Sequence, residues 1–441
     1  MKREARQRKS VLWRWIPALV LVVAAVAAFG WRPAIAPLPD GAQPAFDAAL
    51  VRRGAHLAAI GQCASCHTVN PAAPYAGGLP IPTPFGTVYS TNITPDRETG
   101  IGNWTGVAFM RAMQVGIARD GQHLYPAFPY DHYTKLDERD IQALYAFMMT
   151  RDPLHAPAPQ NSMRFPFGFR PLLAGWKLLF LDRSPVRPEP TRGAEWNRGA
   201  YLADALGHCG DCHTPRNAFG AEDKRRYLGG GEAEGWYVPP LNASSPSPLP
   251  WTVGHLDLYL RTGIAPGHAI AGGPMQGVTT NLGEAEAADV RALAVYIASV
   301  MGKPDPAVAA TVREAVSKPT SLPPAAPGDS AAQRQLQLGA TVYADTCARC
   351  HDQGRTISSG GALQLQAAVT LYDPDPGSLI RIIRDGIQPP DGHPGRWMPA
   401  YAEILTDEQV IALAAYLRRY GANAAPWPQL AEAVQKAKSP P

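Results

Sequence analysis

The stretch Cys63-Ala64-Ser65-Cys66-His67 recurs in form twice more, as Cys209-Gly210-Asp211-Cys212-His213 and Cys347-Ala348-Arg349-Cys350-His351. Each stretch reads Cys-x-x-Cys-His, and together they contain all six cysteines of the 441-residue chain. This form is the attachment signature of c-type haem, in which two thiols add to the haem vinyl groups and the next histidine ligates the iron. The sequence therefore predicts three covalently bound haem c groups, held by Cys63, Cys66, Cys209, Cys212, Cys347 and Cys350, with His67, His213 and His351 as iron ligands.

Other uses of paired cysteines fit the pattern less well. A disulfide between cysteines spaced Cys-x-x-Cys closes a very small loop and leaves the three histidines unexplained. A zinc site needs further Cys or His at ligand spacing, and no cysteine is left over. A thioredoxin-like redox site would lack the histidine that follows each pair.

The haem motifs lie within a longer internal repeat. A similar triplet precedes each motif, and its last residue lies seven to nine positions before the first cysteine: Arg53-Gly54-Ala55, Arg198-Gly199-Ala200 and Leu338-Gly339-Ala340. A Gly-Ile pair follows each motif: Gly116-Ile117, Gly263-Ile264 and Gly386-Ile387. Apolar residues at i, i+3, i+4 and i+7 then predict a final amphipathic helix, which begins in the third copy with the capping-box pair Thr406 and Gln409. Each repeat is thus predicted as a helix, the haem motif, a loop, a helix ending at Gly-Ile, a second loop and a last helix.

Counting from the Gly-Ile pair identifies candidates for the sixth iron ligand. Met275 lies twelve residues after Gly263, and Met398 lies twelve residues after Gly386. Each methionine adjoins a proline. A methionine thioether on the side of the haem opposite the histidine would complete the coordination of the iron and raise its reduction potential. The sequence therefore predicts Met275 and Met398 as the sixth ligands of the second and third haems.

The first repeat breaks this rule, because Phe128 occupies the position twelve residues after Gly116. A phenylalanine cannot ligate iron, so the first repeat lacks a ligand at this position. We favour His132, four residues further on, and keep His123 and an open or weakly held site as alternatives.

The N-terminus predicts export and membrane attachment. Six basic side chains lie within the first 14 residues, and residues 15–31 are almost wholly apolar without a charge. This layout is that of a signal peptide or signal anchor, and an uncleaved transmembrane anchor is the preferred interpretation. The basic flank would stay in the cytoplasm, so the haem domains are expected on the periplasmic side of a bacterial inner membrane.

Composition limits the range of functions. The formal net charge is +4, and the basic leader accounts for all of the excess, so there is no argument for nucleic-acid binding. Gly and Pro number 41 and 45, which suggests compact domains joined by stiff loops. The predicted organisation is a leader and anchor at 1–40, domains at 42–152, 191–303 and 331–422, linkers at 153–190 and 304–330, and a tail at 423–441. Within the first linker, an apolar stretch from Pro171 to Leu181 is expected to pack against the chain's own domains.

With these features the chain resembles the three-haem cytochrome c subunits of bacterial membrane-bound dehydrogenases that oxidise alcohols, gluconate or aldehydes in the periplasm. The resemblance covers about residues 42–422 and is most specific at the haem motifs, at Tyr89-Ser90-Thr91-Asn92-Ile93-Thr94-Pro95-Asp96, at Leu124-Tyr125-Pro126-Ala127 and at Gly273-Pro274-Met275. It implies a mainly α-helical fold of three tandem class I cytochrome c domains behind the N-terminal transmembrane anchor.

The stretch around Phe128 departs from the alcohol dehydrogenase subunits, which usually have methionine there. Tyr125-Pro126-Ala127-Phe128-Pro129-Tyr130-Asp131-His132-Tyr133 resembles instead the cytochromes paired with molybdenum hydroxylases such as nicotinate-, isoquinoline- and aldehyde-oxidising enzymes. This resemblance supports His132 as the replacement ligand.

The expected function is electron transfer rather than catalysis. The resemblance implies that electrons pass from a dehydrogenase subunit, with the molybdenum hydroxylase type favoured, through the haems to membrane ubiquinone or a terminal oxidase of the respiratory chain. A pyrroloquinoline quinone (PQQ) alcohol dehydrogenase or a flavin-dependent gluconate-type dehydrogenase is the alternative partner. Two further alternatives are a haem enzyme with an open, peroxidase-like first site and a zinc-binding interaction protein.

Overall fold

A computed structural model describes residues 30–42, 44–317, 321–352, 363–388 and 397–438. Helices are the main secondary structure of these residues. The chain divides into an N-terminal unit, Met1–Arg187, and a C-terminal unit, Pro188–Pro441. The N-terminal unit contains the first sequence repeat, and the C-terminal unit contains the second and third.

Helices of the N-terminal unit follow the predicted order. They are α1 Ala48–Ile60, α2 Cys63–His67, α3 Gly106–Val115, α4 Tyr130–Tyr133, α5 Glu138–Met149 and α6 Leu172–Phe180. A small antiparallel sheet, β1 Pro80–Thr83, β2 Gly86–Tyr89 and β3 Ser162–Met163, has the order β1-β2-β3 with Ile81 opposite Val88 and Gly86 opposite Met163.

The C-terminal unit repeats the same helix order twice. Its helices are α7 Ala194–Tyr201, α8 Gly210–His213, α9 Val253–Thr262, α10 Pro274–Gly283, α11 Ala287–Val300, α12 Pro306–Ser317, α13 Ala331–Val342, α14 Ala348–His351, α15 Gly377–Asp385, α16 Asp407–Gly421 and α17 Leu430–Lys438. Short antiparallel hairpins join β4 Gly231–Ala233 to β5 Trp236–Val238 and β6 Ile264–Ala265 to β7 Ala269–Ile270. Short π- and 3₁₀-helical turns lie at Leu202–Leu206, Tyr343–Cys347, Lys224–Arg226, Leu365–Ala367 and Val369–Leu371.

The first and last helices of each repeat cross at a glycine. A β-carbon on Gly54 would lie 2.0 Å from the Ala143 carbonyl oxygen, and one on Gly199 would lie 1.9 Å from that of Ala292. In the third repeat a β-carbon on Gly339 would lie 2.1 Å from the Ala412 carbonyl oxygen. Only a residue without a side chain permits this approach, which explains the glycine shared by the three triplets that precede the haem motifs.

Ion pairs reinforce two of these crossings. Arg53 binds Asp140 at 2.5 Å in the first repeat, and Arg198 binds Asp289 at 2.7 Å in the second. The third repeat has Leu338 in place of the arginine, and Gln409 in place of the acid forms the predicted capping box with Thr406.

Turns and caps place the remaining helices. Gly116 and Gly263 end α3 and α9 with the positive φ values of 61° and 71°, a left-handed conformation that glycine adopts without steric cost. Thr105 and Thr252 begin the same helices, and each accepts a hydrogen bond from the backbone three residues on. The predicted helix ending at Gly-Ile is therefore confirmed in both repeats.

The linker segment in the N-terminal unit is only partly covered. On α6, Ala174 and Lys177 are buried, and the Trp176 ring lies 6.0 Å from that of Tyr130. Leu178 and Leu179 remain 73% and 71% exposed. The expected packing against the chain's own domain holds for one face of this helix.

The prediction of a transmembrane anchor is contradicted. Among the described residues, no helix is both long and apolar enough to span a bilayer. The longest, α16, has 15 residues, which corresponds to ~22 Å against a hydrocarbon thickness of about 30 Å. Residues 1–29, with the leader and most of the apolar run, lie outside the described residues. We therefore correct the fold class to mainly helical, since no described helix supports the predicted anchor or the inner-membrane location that rested on it.

We expect Gly54→Ala to destabilise the folded protein by about 1–3 kcal/mol, because its methyl group would overlap the Ala143 carbonyl. Gly175→Ala on α6 is the matched control, since a β-carbon there meets no atom within 4 Å. The control should be neutral or stabilising by up to about 1 kcal/mol through helix propensity. Urea unfolding of the two variants, followed by circular dichroism, measures the difference; equal stabilities would contradict the close approach.

Candidate haem sites

The six cysteines lie on or next to single helical turns and none forms a disulfide. In a helical turn, residues i and i+3 share one face, so Cys63 and Cys66 present their sulfurs on the same side of α2. Burial raises the pKa of the Cys63, Cys209 and Cys212 thiols to about 12 and that of Cys347 above its usual value. Burial thus favours the neutral thiol, the form in which these cysteines stand before any haem is attached.

The histidine that follows each cysteine pair is oriented by a backbone carbonyl. His67 Nδ1 donates to Thr91 O at 2.6 Å, His213 Nδ1 to Pro239 O at 2.8 Å, and His351 Nδ1 to Leu363 O at 3.0 Å. A hydrogen at Nδ1 leaves Nε2 of a neutral imidazole with its lone pair, and this is the arrangement of a metal-ligating histidine.

Burial keeps these imidazoles neutral. It lowers the pKa of His67 and His351 and brings that of His213 to about 4. Protonation would block the ring nitrogen needed for iron, so the neutral form is the competent one. The thiols and the oriented histidines together fit a covalent haem c in all three repeats.

Sequence reasoning did not identify the three carbonyl partners. Thr91, Pro239 and Leu363 lie 24, 26 and 12 residues after their histidines, and their side chains have nothing in common. The backbone supplies the acceptor, so residue type carries no signal for this contact.

One further support was detectable from the sequence. Thr68 and Thr214 directly follow the haem histidines of the first two repeats, and their hydroxyls accept hydrogen bonds from Tyr75 N and Leu228 N, each at 3.0–3.1 Å. The shared threonine could have indicated this support. The third repeat has Asp352 there, whose carboxylate accepts a hydrogen bond from the Tyr343 hydroxyl at 2.6 Å.

Met275 is held at the start of α10. Pro274 is the first residue of this helix, and Gly273 before it has φ 54°. A β-carbon on Gly273 would lie 2.4 Å from the Trp236 ring, so the loop and the indole are in direct contact. The Gly-Pro-Met sequence thus sets the methionine on a rigid, partly buried helix start.

Met398 occupies a different local structure despite its equal spacing from the glycine. It pairs with Ile387 in an antiparallel bridge, with mutual backbone hydrogen bonds of 2.9 and 3.0 Å. In the second repeat the corresponding partner of Ile264 is Ile270, five residues before Met275. In the third repeat the methionine itself is therefore the bridge partner, whereas in the second it lies five residues beyond the partner, a difference that a residue count alone does not reveal.

Phe128 lies twelve residues after Gly116, just as Met275 lies twelve residues after Gly263, but its side chain cannot ligate iron. Its ring lies 5.4 Å from that of Tyr133, whose hydroxyl donates to Gly61 O at 3.1 Å, directly before the first haem motif. His132 lies on the same short helix as Tyr133, α4, and is only 2% exposed. The structure thus brings the α4 segment next to the first haem motif.

His123 is committed to a buried polar cluster. Its Nε2 donates to Gly30 O at 2.7 Å, and its Nδ1 lies 3.0 Å from Nζ of Lys177, which also donates to Gly116 O at 2.6 Å. Burial lowers the pKa of Lys177 to about 7 and also lowers that of His123, because both groups lose contact with water. Since both ring nitrogens already have partners, this arrangement disfavours His123 as an iron ligand.

The arrangement suits one chemical task. A haem c bound at these residues would exchange single electrons by changing its iron between the ferrous and ferric states. The protein's own groups orient the histidine, keep it neutral and bury the attachment thiols.

Comparisons with known families agree with this geometry. A cytochrome c family profile matches residues 51–152, and a profile described as cytochrome C oxidase, cbb3-type, subunit III matches residues 334–417. The covalent haem c that cytochrome c domains bind is thereby supported.

Several characterised proteins are similar over most of the chain. A nicotinate dehydrogenase subunit of Pseudomonas putida is 44% identical over 417 residues, which is 94% of this chain and 34% of that protein. The chain thus spans about a third of that relative's length. The fructose dehydrogenase cytochrome subunit of Gluconobacter japonicus is 36% identical over 85% of this chain and 80% of its own length. The gluconate 2-dehydrogenase cytochrome c subunit of Pantoea cypripedii is 36% identical over 86% and 87%.

These relatives are named as subunits of dehydrogenases. The cysteine pairs and their oriented histidines in this chain are consistent with the cytochrome c subunits named among these relatives. The matches to the fructose and gluconate dehydrogenase subunits cover at least 80% of this chain and of each relative, so they extend beyond a single domain. The chain belongs to the family of cytochrome c subunits of dehydrogenase complexes, and its role is electron transfer.

Proposed function

We propose that the chain binds three haem c groups and passes electrons singly from a dehydrogenase catalytic subunit to ubiquinone or a terminal oxidase. The observation that carries this proposal is the same histidine geometry after each cysteine pair, with Nδ1 bonded to a backbone carbonyl in all three repeats. Three equivalent sites in one polypeptide favour a series of electron carriers over a single reaction centre.

The proposed iron ligands follow from the same sites. His67, His213 and His351 ligate the irons through Nε2. Met275 and Met398 are the sixth ligands of the second and third haem irons. His132 is the sixth ligand of the first, since its helix contacts Gly61 through Tyr133 and His123 is hydrogen-bonded elsewhere. Six-coordinate irons have no open position for substrate, which suits pure electron transfer.

The domain boundaries are part of this proposal. Residues 42–152, 191–303 and 331–422 each include one haem motif and the two helices that cross at a glycine. The linker 304–330 contributes α12, and the tail 423–441 contributes α17.

The partner is proposed to be a molybdenum hydroxylase that oxidises a nitrogen heterocycle such as nicotinate, or an aldehyde. Two observations support this choice. The Phe128-to-Tyr133 stretch resembles the cytochromes of such enzymes, and identity to the nicotinate dehydrogenase subunit is 44%, against 36% for the fructose and gluconate dehydrogenase subunits. A PQQ alcohol dehydrogenase or a flavin-dependent gluconate-type dehydrogenase is the alternative partner.

We expect Met275→Leu to open one haem iron, because leucine fills the space of methionine without a ligating sulfur. The ferrous variant should bind carbon monoxide at one haem more than the wild type, and one haem should lose reduction potential. Met301→Leu, at the C-terminal end of α11, is the control and should change neither property. Carbon monoxide titration and spectroelectrochemistry provide the measurements; unchanged binding would exclude Met275 as a ligand.

We expect His132→Leu to make the first haem accessible to carbon monoxide, whereas the exposed His155→Leu should not. Both variants are compared with the wild type in the ferrous state. Wild-type protein that already binds carbon monoxide at one haem would instead support the haem enzyme with an open first site. No change in His132→Leu would show that another group ligates the first iron.

The identity of the partner is tested by metal analysis. We expect the complex isolated in mild detergent from its native cells to contain about one molybdenum for every three haem c groups, because one hydroxylase centre would feed three haems. Covalent haem and molybdenum are quantified together, and released quinone and flavin are assayed in the same sample. Pyrroloquinoline quinone or flavin without molybdenum would contradict the hydroxylase partner and favour the alternative.

A further inference from the structure

Strand β5 of the second repeat binds the third repeat through two buried side chains. Arg381 Nε donates to Gly235 O at 2.8 Å, next to the strand, and Ser378 Oγ donates to Tyr237 O at 2.7 Å. Both side chains lie on α15 and are only 7% and 5% exposed. The two hydrogen bonds fix α15 along this strand.

The same strand contacts both sides of the predicted second haem site. It continues into Pro239, whose carbonyl orients His213, and its Trp236 ring packs on Gly273, two residues before Met275. A displacement of β5 would therefore move the supports of the proximal histidine and of the methionine together.

At its other end, α15 leads to the predicted third haem site. Ile387, two residues after the helix, forms the bridge with Met398. A β-carbon on Gly272 would lie 3.7 Å from the Ile387 side chain, and Gln276 Nε2 donates to Gln388 O. The two methionine-bearing loops thus contact each other beside the α15 contact.

Arg381 brings a positive charge into this contact. Its carboxylate partner, Asp385, lies 4.0 Å away and is half exposed, so the charge is only weakly compensated. Burial of a guanidinium is costly, and a purely packing role would be met by an apolar residue of similar size. A buried positive charge disfavours the ferric iron, which carries one more positive charge than the ferrous iron, and so raises a nearby haem's reduction potential.

We propose that Arg381 positions the second and third haem regions against each other and that electrons pass between these two haems across the contact that Arg381 makes with β5. This inference rests on the proposed function, since it requires haems in both regions. In the transfer one ferrous iron loses an electron and the other, ferric, iron gains it, while no bond or proton changes. Because tunnelling slows steeply with distance, a loosened contact slows the exchange.

The test uses the full-length holoprotein and three variants. Arg381→Met removes the charge and its hydrogen bond, and Ser378→Ala removes only the second hydrogen bond to β5. Arg261→Met on α9 is the control, since this arginine is exposed and its side chain pairs with Asp257 one turn away. Haem content per chain is determined first, followed by the midpoint potential of each haem and the rate of internal electron redistribution after pulsed reduction.

In Arg381→Met we expect several-fold slower redistribution and lower midpoint potentials for two of the three haems. In Ser378→Ala we expect slower redistribution with little change in potential, and Arg261→Met should match the wild type. A role confined to folding would lower the melting temperature and leave the potentials and rates of the folded holoprotein unchanged.

Unchanged potentials and rates in Arg381→Met with three haems would overturn the proposal. Should that variant fail to retain its haems, an unchanged rate in Ser378→Ala would overturn it. Wild-type protein with fewer than three haems would overturn the proposed function before any variant is compared.

Discussion

The fold of each repeat depends on one close contact between two helices. At Gly54, Gly199 and Gly339 the first helix approaches the last so closely that a single methyl group would overlap a backbone carbonyl. This crossing fixes the helix that enters the haem motif against the helix that closes the repeat. A domain of about 100 residues has a small core of its own, and a covalently bound haem supplies apolar contacts that such a domain otherwise lacks.

The second constraint is the carbonyl that holds the histidine after each cysteine pair. By accepting the Nδ1 hydrogen, it selects the tautomer that presents Nε2, and burial keeps the ring neutral. The acceptors come from loops that differ in length and sequence, so the three repeats reach the same chemistry by different routes. The repeats share the geometry of this contact, while the residues that supply it differ.

The repeats diverge most in the segments that bear the proposed sixth ligands. The second places Met275 at the start of a proline-initiated helix, the third places Met398 in a backbone bridge with Ile387, and the first has Phe128 in the position of the methionine. In the first repeat His123 and the buried Lys177 form a polar cluster, and the lysine is contributed by the linker helix α6. This cluster anchors the linker to the domain, which accounts for the burial of one face of α6.

The sequence by itself determined the features that depend on residue type and spacing. The three Cys-x-x-Cys-His motifs predicted covalent haem, and the apolar periodicity predicted the final helices, including the Thr406–Gln409 capping box, because these signals are local. The apolar run at the N-terminus predicted a transmembrane anchor, but the described helices include none that could span a bilayer, and most of the run lies outside the described residues.

Only the tertiary structure decided the features that depend on backbone position. These features are contacts between residues distant in sequence. They include the carbonyl partners of the histidines, the contacts of His123 with Gly30 and Lys177, and the contact of Arg381 with Gly235. The different pairing of the segments that bear Met275 and Met398 is another such feature. Most of these contacts use a backbone group, which is the same in every residue, and the side-chain contact of Lys177 with His123 joins residues 54 positions apart, so no local pattern of side chains could have identified them.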